Sequence, residues 1–196
     1  MNKLIHIQKL AIGYNKTTII DDINASFSSG ELICLIGRNG EGKSTMMKTI
    51  CKLITPISGN ILIDNNDLAK TNDKSFANLI SVVLTSKISI SNISVKEFIA
   101  FGRYPYTNWI CKITKSDESL IDKAIEMCGV QHLINRDFDS LSDGEKQKVN
   151  IARAIAQNTP IIVLDEPTAH LDLVNNIEIF KLLQLLVKKH HKTILF

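Results

Sequence analysis

Gly37-Arg38-Asn39-Gly40-Glu41-Gly42-Lys43-Ser44 carries more information than any other stretch of this chain. It fits the spacing G-x-x-x-x-G-K-[ST], and it stands in the context that gives this spacing meaning. Before it runs the apolar segment Glu31 to Ile36, which reads as a strand. After it, Lys43 to Leu53 shows helical spacing with Ile50 and Leu53 turned inward. Glycines let the backbone curl closely enough for its N–H groups to point at phosphate oxygens, and the following helix adds the positive end of its dipole. A nucleoside triphosphate is the natural ligand. Lys43 would reach the terminal phosphates as a point charge, the Ser44 hydroxyl would ligate Mg²⁺, and Thr45 would touch a more proximal phosphate.

Further along, the apolar strand Ile161 to Leu164 ends in Asp165-Glu166. An acid pair at the end of a buried strand, opposite a phosphate loop, divides into two roles. Asp165 can hold Mg²⁺ through water, and Glu166 can polarise the attacking water as the catalytic base. A solvated acidic turn before Pro167 is the plainer alternative.

The remaining pattern supplies the frame. Leu4 to Ile7, Thr17 to Ile20 and Ile23 to Phe27 read as short strands, separated by turn signals at Gly13-Tyr14-Asn15 and Asp21-Asp22, and predict a small antiparallel sheet. Asn60 to Asp64 and Ile80 to Leu84 add strands, the latter of the continuous apolar kind buried in parallel sheets. Helices are expected near Val95 to Arg103, Ser116 to Cys128 and Ser142 to Gln157, with no convincing strand among them. That block, about residues 87–157, reads as an inserted helical subdomain. An amphipathic helix from Leu173 to Lys189 and a strand from Thr193 to Phe196 close the pattern. The expected fold class is α/β: a P-loop NTPase core with an N-terminal antiparallel β subdomain and an inserted α-helical subdomain, in one domain over residues 1–196.

Composition agrees with a globular protein. The chain has 196 residues, 44% of them hydrophobic and 22% charged, a length at which roughly 70% of the unfolded surface can be buried. The net charge of +3 is spread along the sequence, so it makes no strong case for a nucleic-acid footprint, and no nucleic-acid partner is expected. Cys34, Cys51, Cys111 and Cys128 contain no C-x-x-C pair and read as reduced core residues. Nowhere do 18 consecutive apolar residues occur, and a cytoplasmic location with membrane contact through partners only is expected.

The phosphate loop, Leu141-Ser142-Asp143-Gly144-Glu145, the run Ile161 to Glu166 and Ala169-His170-Leu171-Asp172 together resemble the ATP-binding cassette family in order and spacing. The resemblance covers nearly the whole chain. It implies that Leu141 to Glu145 is the family's signature motif, closing over ATP held by a second subunit, with Ser142 and Gly144 contacting the terminal phosphate. Read on their own, Ser142 and Asp143 are equally the start of a helix, either an anion site for a partner or simply an N-cap. Asp143 stands where the commonest signature has glycine and Glu145 where it has glutamine, which sets two acids near a phosphate site where repulsion is possible. The resemblance also makes Asp172 the D-loop aspartate and Tyr14 the ring that stacks on adenine, with ordinary packing as the alternative for Tyr14. Thr85 falls where the family places a metal-linked glutamine; it can ligate, but its reach is shorter. A switch histidine would follow the strand that begins at Thr193, so the sequence, stopping at Phe196, reads as lacking the C-terminal part of the cassette. His190 and His191 instead decorate a solvated helix end.

The stretch Val95 to Pro105, with its Gly102-Arg103-Tyr104-Pro105, resembles importers of iron chelates, haem and cobalamin. The expectation that follows is an ATP-driven homodimer at the cytoplasmic face of the membrane, beneath two permease subunits, fed by a substrate-binding protein and not touching the cargo. Phe98, Phe101, Tyr104 and Trp109 read either as packing or as a groove for a permease helix. Rival settings are a soluble cassette of DNA repair or translation, an exporter motor, and a nucleotide-binding module that dimerises without hydrolysis. A kinase or GTPase sharing only the phosphate loop would leave Leu141 to Glu145 unexplained.

Overall fold

A computed structural model describes residues 3–15, 17–85, 90–169 and 171–196. Two four-stranded sheets carry the fold. The first is antiparallel, in the order β2-β1-β4-β5, built from β1 (Lys3–Tyr14), β2 (Thr17–Ser28), β4 (Ser58–Ile63) and β5 (Asn66–Asp67). Its buried face is drawn by the alternation Ile5, Ile7, Leu10 and Ile12. The three short strands expected at the start are two strands of 12 residues each. The Asp21-Asp22 signal is a bulge rather than a turn: Asp22 has φ 50°, and the register shifts between Leu10 and Ile12. Asn24 holds the bulge by donating to the Asp22 carbonyl (3.0 Å) and carboxylate (2.8 Å) while accepting the Lys9 N–H at 2.9 Å.

The second sheet is parallel, in the order β3-β8-β7-β6, from β3 (Leu32–Ile33), β6 (Ile80–Val83), β7 (Ile161–Leu164) and β8 (Thr193–Leu195). All four residues of β7 are buried, as a strand covered on both faces requires. The two-residue period sorts its side chains between two cores. Ile161 and Val163 join β1, β4 and α1 (Lys43–Ile50); Ile162 and Leu164 join the helices α3 (Val95–Ala100), α4 (Lys115–Cys128), α5 (Asp143–Ala156) and α6 (Leu173–His190). The strand expected over Glu31 to Ile36 is shorter, although pairing persists to Leu35, whose N–H donates to the Phe196 carbonyl at 2.7 Å. Ile36 is 91% exposed. Leu53, expected to face inward, is 57% exposed, because α1 ends at Ile50 with Cys51 as its cap.

α2 (Asp73–Leu79) has no counterpart in the sequence reading; it begins at Asn72, whose side chain accepts the Ser75 N–H at 2.8 Å. The helix expected over Val95 to Arg103 is α-helical only to Ala100 and continues as a 3-10 turn from Phe101 to Tyr106. Packing explains the change. A Cβ on Gly102 would fall 2.2 Å from the Arg153 carbonyl oxygen, so only glycine lets this turn lie on α5. Buried Arg103 then donates through Nε to Asp117 at 2.9 Å and through Nη1 to the Ala156 and Gln157 carbonyls at 2.9 and 3.0 Å, closing the C-terminal end of α5. The Thr114 hydroxyl and amide, ahead of Arg103, hold the Asp117 carboxyl below the usual carboxylate range. Phe98 is fully packed and stacks on Phe138 at 4.1 Å, whereas Tyr104 is half exposed and Trp109 is 91% exposed. The residues expected to open the helical block, 87–89, lie outside the described residues.

The cysteines divide. Cys51 and Cys128 are core residues, but Cys34 and Cys111 are exposed, which corrects the expectation that all four are buried. Cys34 lies on strand-edge backbone and Cys111 in a loop, so neither has apolar neighbours on all sides. Burial pushes both the Cys51 and Cys128 thiols up to about 12, with the Asp165 charge adding at Cys51.

An alkylating reagent at pH 8 is therefore expected to label Cys34 and Cys111 in the native protein and to reach Cys51 and Cys128 only after denaturation, as peptide mass spectrometry would show. Arg103→Ala leaves Asp117 with Thr114 alone and the Ala156 and Gln157 carbonyls without their guanidinium donor; removing one partner of a buried pair costs about 3–5 kcal/mol, to be read as a lowered midpoint in urea.

Candidate functional site

Strand ends on one edge of a parallel sheet gather functional groups, and here β3 and β7 deliver the phosphate loop and the acid pair to one cleft. Within the loop, Gly40 (φ 85°) and Gly42 (φ 93°) adopt left-handed backbone that only glycine takes without strain. Gly42 has a second constraint, since a Cβ there would fall 2.9 Å from both the Ile19 and Ile20 side chains. No side chain caps α1, so its first N–H groups remain for an anion. Lys43 lies across the loop, its ammonium donating to the carbonyls of Gly37 (2.7 Å) and Arg38 (2.8 Å). The Glu41 carboxylate accepts the Arg38 N–H at 2.6 Å, and a Cβ on Gly37 would run into that carboxylate at 2.8 Å. The loop is thus held in shape by its own charged side chains.

Asn39, Lys43 and Ser44 line the cleft on one side, Asp165 and Glu166 on the other. Thr45, buried on α1, lines an adjoining hollow with Gly40, Gly42 and Glu166. Asp165 is 8% exposed; its N–H donates to the Val83 carbonyl and its own carbonyl accepts the Thr85 hydroxyl, each at 2.8 Å. These bonds tie the ends of β6 and β7 and bring Thr85 against Asp165. Glu166 has φ 48°, a left-handed conformation that strains a non-glycine residue. Its carbonyl accepts the Ala169 N–H at 3.1 Å, closing a tight turn through Pro167, and its side chain is exposed to the cleft.

Among the described residues no group of three or more His, Cys, Asp or Glu side chains could hold a metal by itself. Ser44, Asp165 and Glu166 bring side-chain oxygens to the cleft, whereas Thr85, its hydroxyl bonded to the Asp165 carbonyl, is not among the lining residues. Such a sparse set suits Mg²⁺, which keeps several waters and takes phosphate oxygens from its nucleotide.

Segment 141–145 does not line this cleft. Leu141 is buried among the helices, and Ser142 caps α5. Its hydroxyl accepts the Glu145 N–H at 3.4 Å, while the Glu145 carboxylate accepts from the Ser142 N–H and hydroxyl, both at 2.8 Å. Arg136 stands 3.6 Å from the same carboxylate. The Ser142 amide and hydroxyl hold the Glu145 carboxyl below its ordinary range, with Arg136 and His132 adding to the effect. The repulsion anticipated for Glu145 is therefore met by a charge already turned back and paired. Asp143 opens the first turn of α5. Gly144 is packed against Asn175.

Asp172 caps α6, accepting the Asn175 N–H at 2.8 Å and its side-chain N–H at 2.9 Å. Those bonds, the Asn175 N–H first, hold its carboxyl low. His170 lies outside the described residues. Tyr14, 46% exposed, ends β1 opposite Thr17 and is not among the residues lining the cleft. His190 and His191 sit at the exposed end of α6, as expected. The sequence reading missed Asn175, although the spacing Asp172 to Asn175 has the form of a helix cap. It also missed the service Glu41 gives the loop, for which no sequence pattern exists.

A model of the ABC transporter family matches residues 20–169. The achromobactin transport ATP-binding protein CbrD of Dickeya dadantii (strain 3937) is 36% identical over 96% of this chain and 70% of its own length. The iron(3+)-hydroxamate import ATP-binding protein FhuC of Bacillus subtilis (strain 168) is 34% identical over 100% of this chain and 72% of its own. Among solved structures, an inward-facing metal-chelate type ABC transporter superposes with TM-score 0.86 at 30% identity, covering 100% of this chain and 73% of that one. The dimeric ATP-binding cassette MJ0796 bound to ADP and Pi gives TM-score 0.84 at 26% identity, over 98% and 86%. With this fold, this loop and these matches, the chain belongs to the ABC transporter family and is one of its ATP-hydrolysing cassettes.

Proposed function

We propose that this chain is the motor subunit of a bacterial importer for an iron(III) chelate, acting as a homodimer on the cytoplasmic face of the membrane beneath two permease subunits. One observation carries the reading. The phosphate loop and the acid pair share a cleft, while segment 141–145, with the helix start expected of an anion site, lies apart from it. A second copy would complete each site. The iron-chelate cargo follows the names of the relatives and of the metal-chelate type transporter; a substrate-binding protein would deliver it. No described helix is long and apolar enough to cross a membrane, which fits attachment through the permease. The exposed Tyr104, Trp109 and Ile110 offer a surface for it. Helices α3 to α5 would form the inserted helical subdomain of about 87–157.

In this reading Gly37, Arg38, Asn39, Gly40, Glu41, Gly42 and Thr45 cradle the phosphates of ATP, and Lys43 leaves its loop carbonyls for the terminal phosphate. Ser44, Asp165 and Thr85 would hold Mg²⁺, which neutralises charge on the phosphate oxygens. Glu166 accepts a proton from the attacking water as its oxygen reaches the terminal phosphorus. Tyr14 stacks on adenine. The partner's segment 141–145 closes over the terminal phosphate through Ser142 and Gly144, and Asp172 meets the partner across the interface.

Thermal melts with Mg-ATP beside a phosphate-release assay test this reading. Ligand at ~100 times its Kd stabilises by roughly 2.7 kcal/mol. Lys43→Ala is expected to abolish the shift; Glu166→Gln should keep it while losing phosphate release and accumulating an ATP-bound dimer. Normal hydrolysis by Glu166→Gln would remove Glu166 as the base, and a wild-type shift without any turnover would overturn the motor reading.

A further inference from the structure

α5 and α6 start side by side. Gly144 and Lys148, one helical turn apart, oppose Asn175 and Glu178, also one turn apart. A Cβ on Gly144 would fall 2.8 Å from Nδ2 and 2.9 Å from Cγ of Asn175, and Lys148 is ion-paired with Glu178. The same Nδ2 that lies nearest Gly144 donates to Asp172 Oδ2 at 2.9 Å, and the Asn175 backbone N–H donates to Asp172 Oδ1 at 2.8 Å. The Asn175 amide is therefore a wedge between segment 141–145 and the turn that leads away from Glu166. Glycine at 144 is what admits it.

We propose that Asn175 is a positioning residue that couples the two ATP sites of the dimer, by fixing the segment that serves the partner's nucleotide to the Asp172 turn behind the chain's own Glu166. This rests on the reading of 141–145 and of the dimer given above. When the partner's terminal phosphate draws Gly144 into place, Asn175 cannot stay behind without opening a gap or breaking its bonds to Asp172. Closure at one site thus sets the backbone at the other. Asparagine suits the task because one flat amide both packs on glycine backbone and donates to a carboxylate. An aspartate would set like charge against Asp172.

The test compares Glu166→Gln with Glu166→Gln/Asn175→Ala by analytical ultracentrifugation in Mg-ATP, and measures ATP affinity of the monomers with a fluorescent ATP analogue. Asn175→Ala keeps the Asp172 cap on its backbone N–H, so α6 still starts. Monomer affinity should stay within twofold while the dimer dissociation constant rises at least tenfold. With Glu166 intact, Asn175→Ala should lower kcat at least tenfold with KM moved less than threefold. Dimerisation and kcat within twofold of the parent overturn the proposal, as does a parallel loss of monomer ATP affinity, the mark of a merely structural role. Gly144→Ala separates the two levels. If it impairs dimerisation and Asn175→Ala does not, only the coupling fails; if neither does, the assignment of 141–145 fails as well.

Discussion

Everything in this molecule hangs on the burial of β7 on both faces. A strand of four apolar residues with alternating side chains feeds two separate cores at once, so neither the antiparallel sheet nor the helices can move without disturbing it. Its position is further fixed by the register with β6 and β8. Because the strand is immobile, so is the carboxylate that follows it. Asp165 stands at the boundary between a dry interior and an open cleft, with its backbone bonded on both sides. Placing an acid there would be costly deeper in and imprecise further out.

Three helix starts, those of α3, α4 and α5, share one device. Ser94 with Glu97, Thr114 with Asp117 and Ser142 with Glu145 all form reciprocal capping boxes. Two of the three are then recruited for something else: Asp117 also receives buried Arg103, and Glu145 also faces Arg136. The same short motif thus ends up as a structural clasp in one place and as part of a charged surface in another. What differs is the neighbour, not the local sequence.

That distinction explains what could be read without coordinates. The phosphate loop, β7 and α5 were legible because each is defined by residues close in sequence, through spacing, period or cap. The cleft shared by Lys43, Ser44, Asp165 and Glu166 was legible because a motif of known chemistry preceded an acid pair at a strand end. The long first hairpin was not, because Asp21-Asp22 has the composition of a turn and only the pairing with Leu10 and Ile12 makes it a bulge. Leu53 kept its helical period after the helix had ended. Arg103 read only as the end of an expected helix, and three distant groups, Asp117, Ala156 and Gln157, reveal it as interior. Asn175 became visible only through the missing side chain of Gly144.

The left-handed backbone at Glu166 has a meaning for the evolution of such a chain. A side chain there is held against a conformational preference worth about 1 kcal/mol or more, and glycine would relieve it at once. Selection for robustness alone would therefore erode this position, while selection for turnover, given the role proposed for Glu166, would hold it. The tension in that single turn makes Glu166 a place where thermal endurance and chemical work pull the sequence in opposite directions.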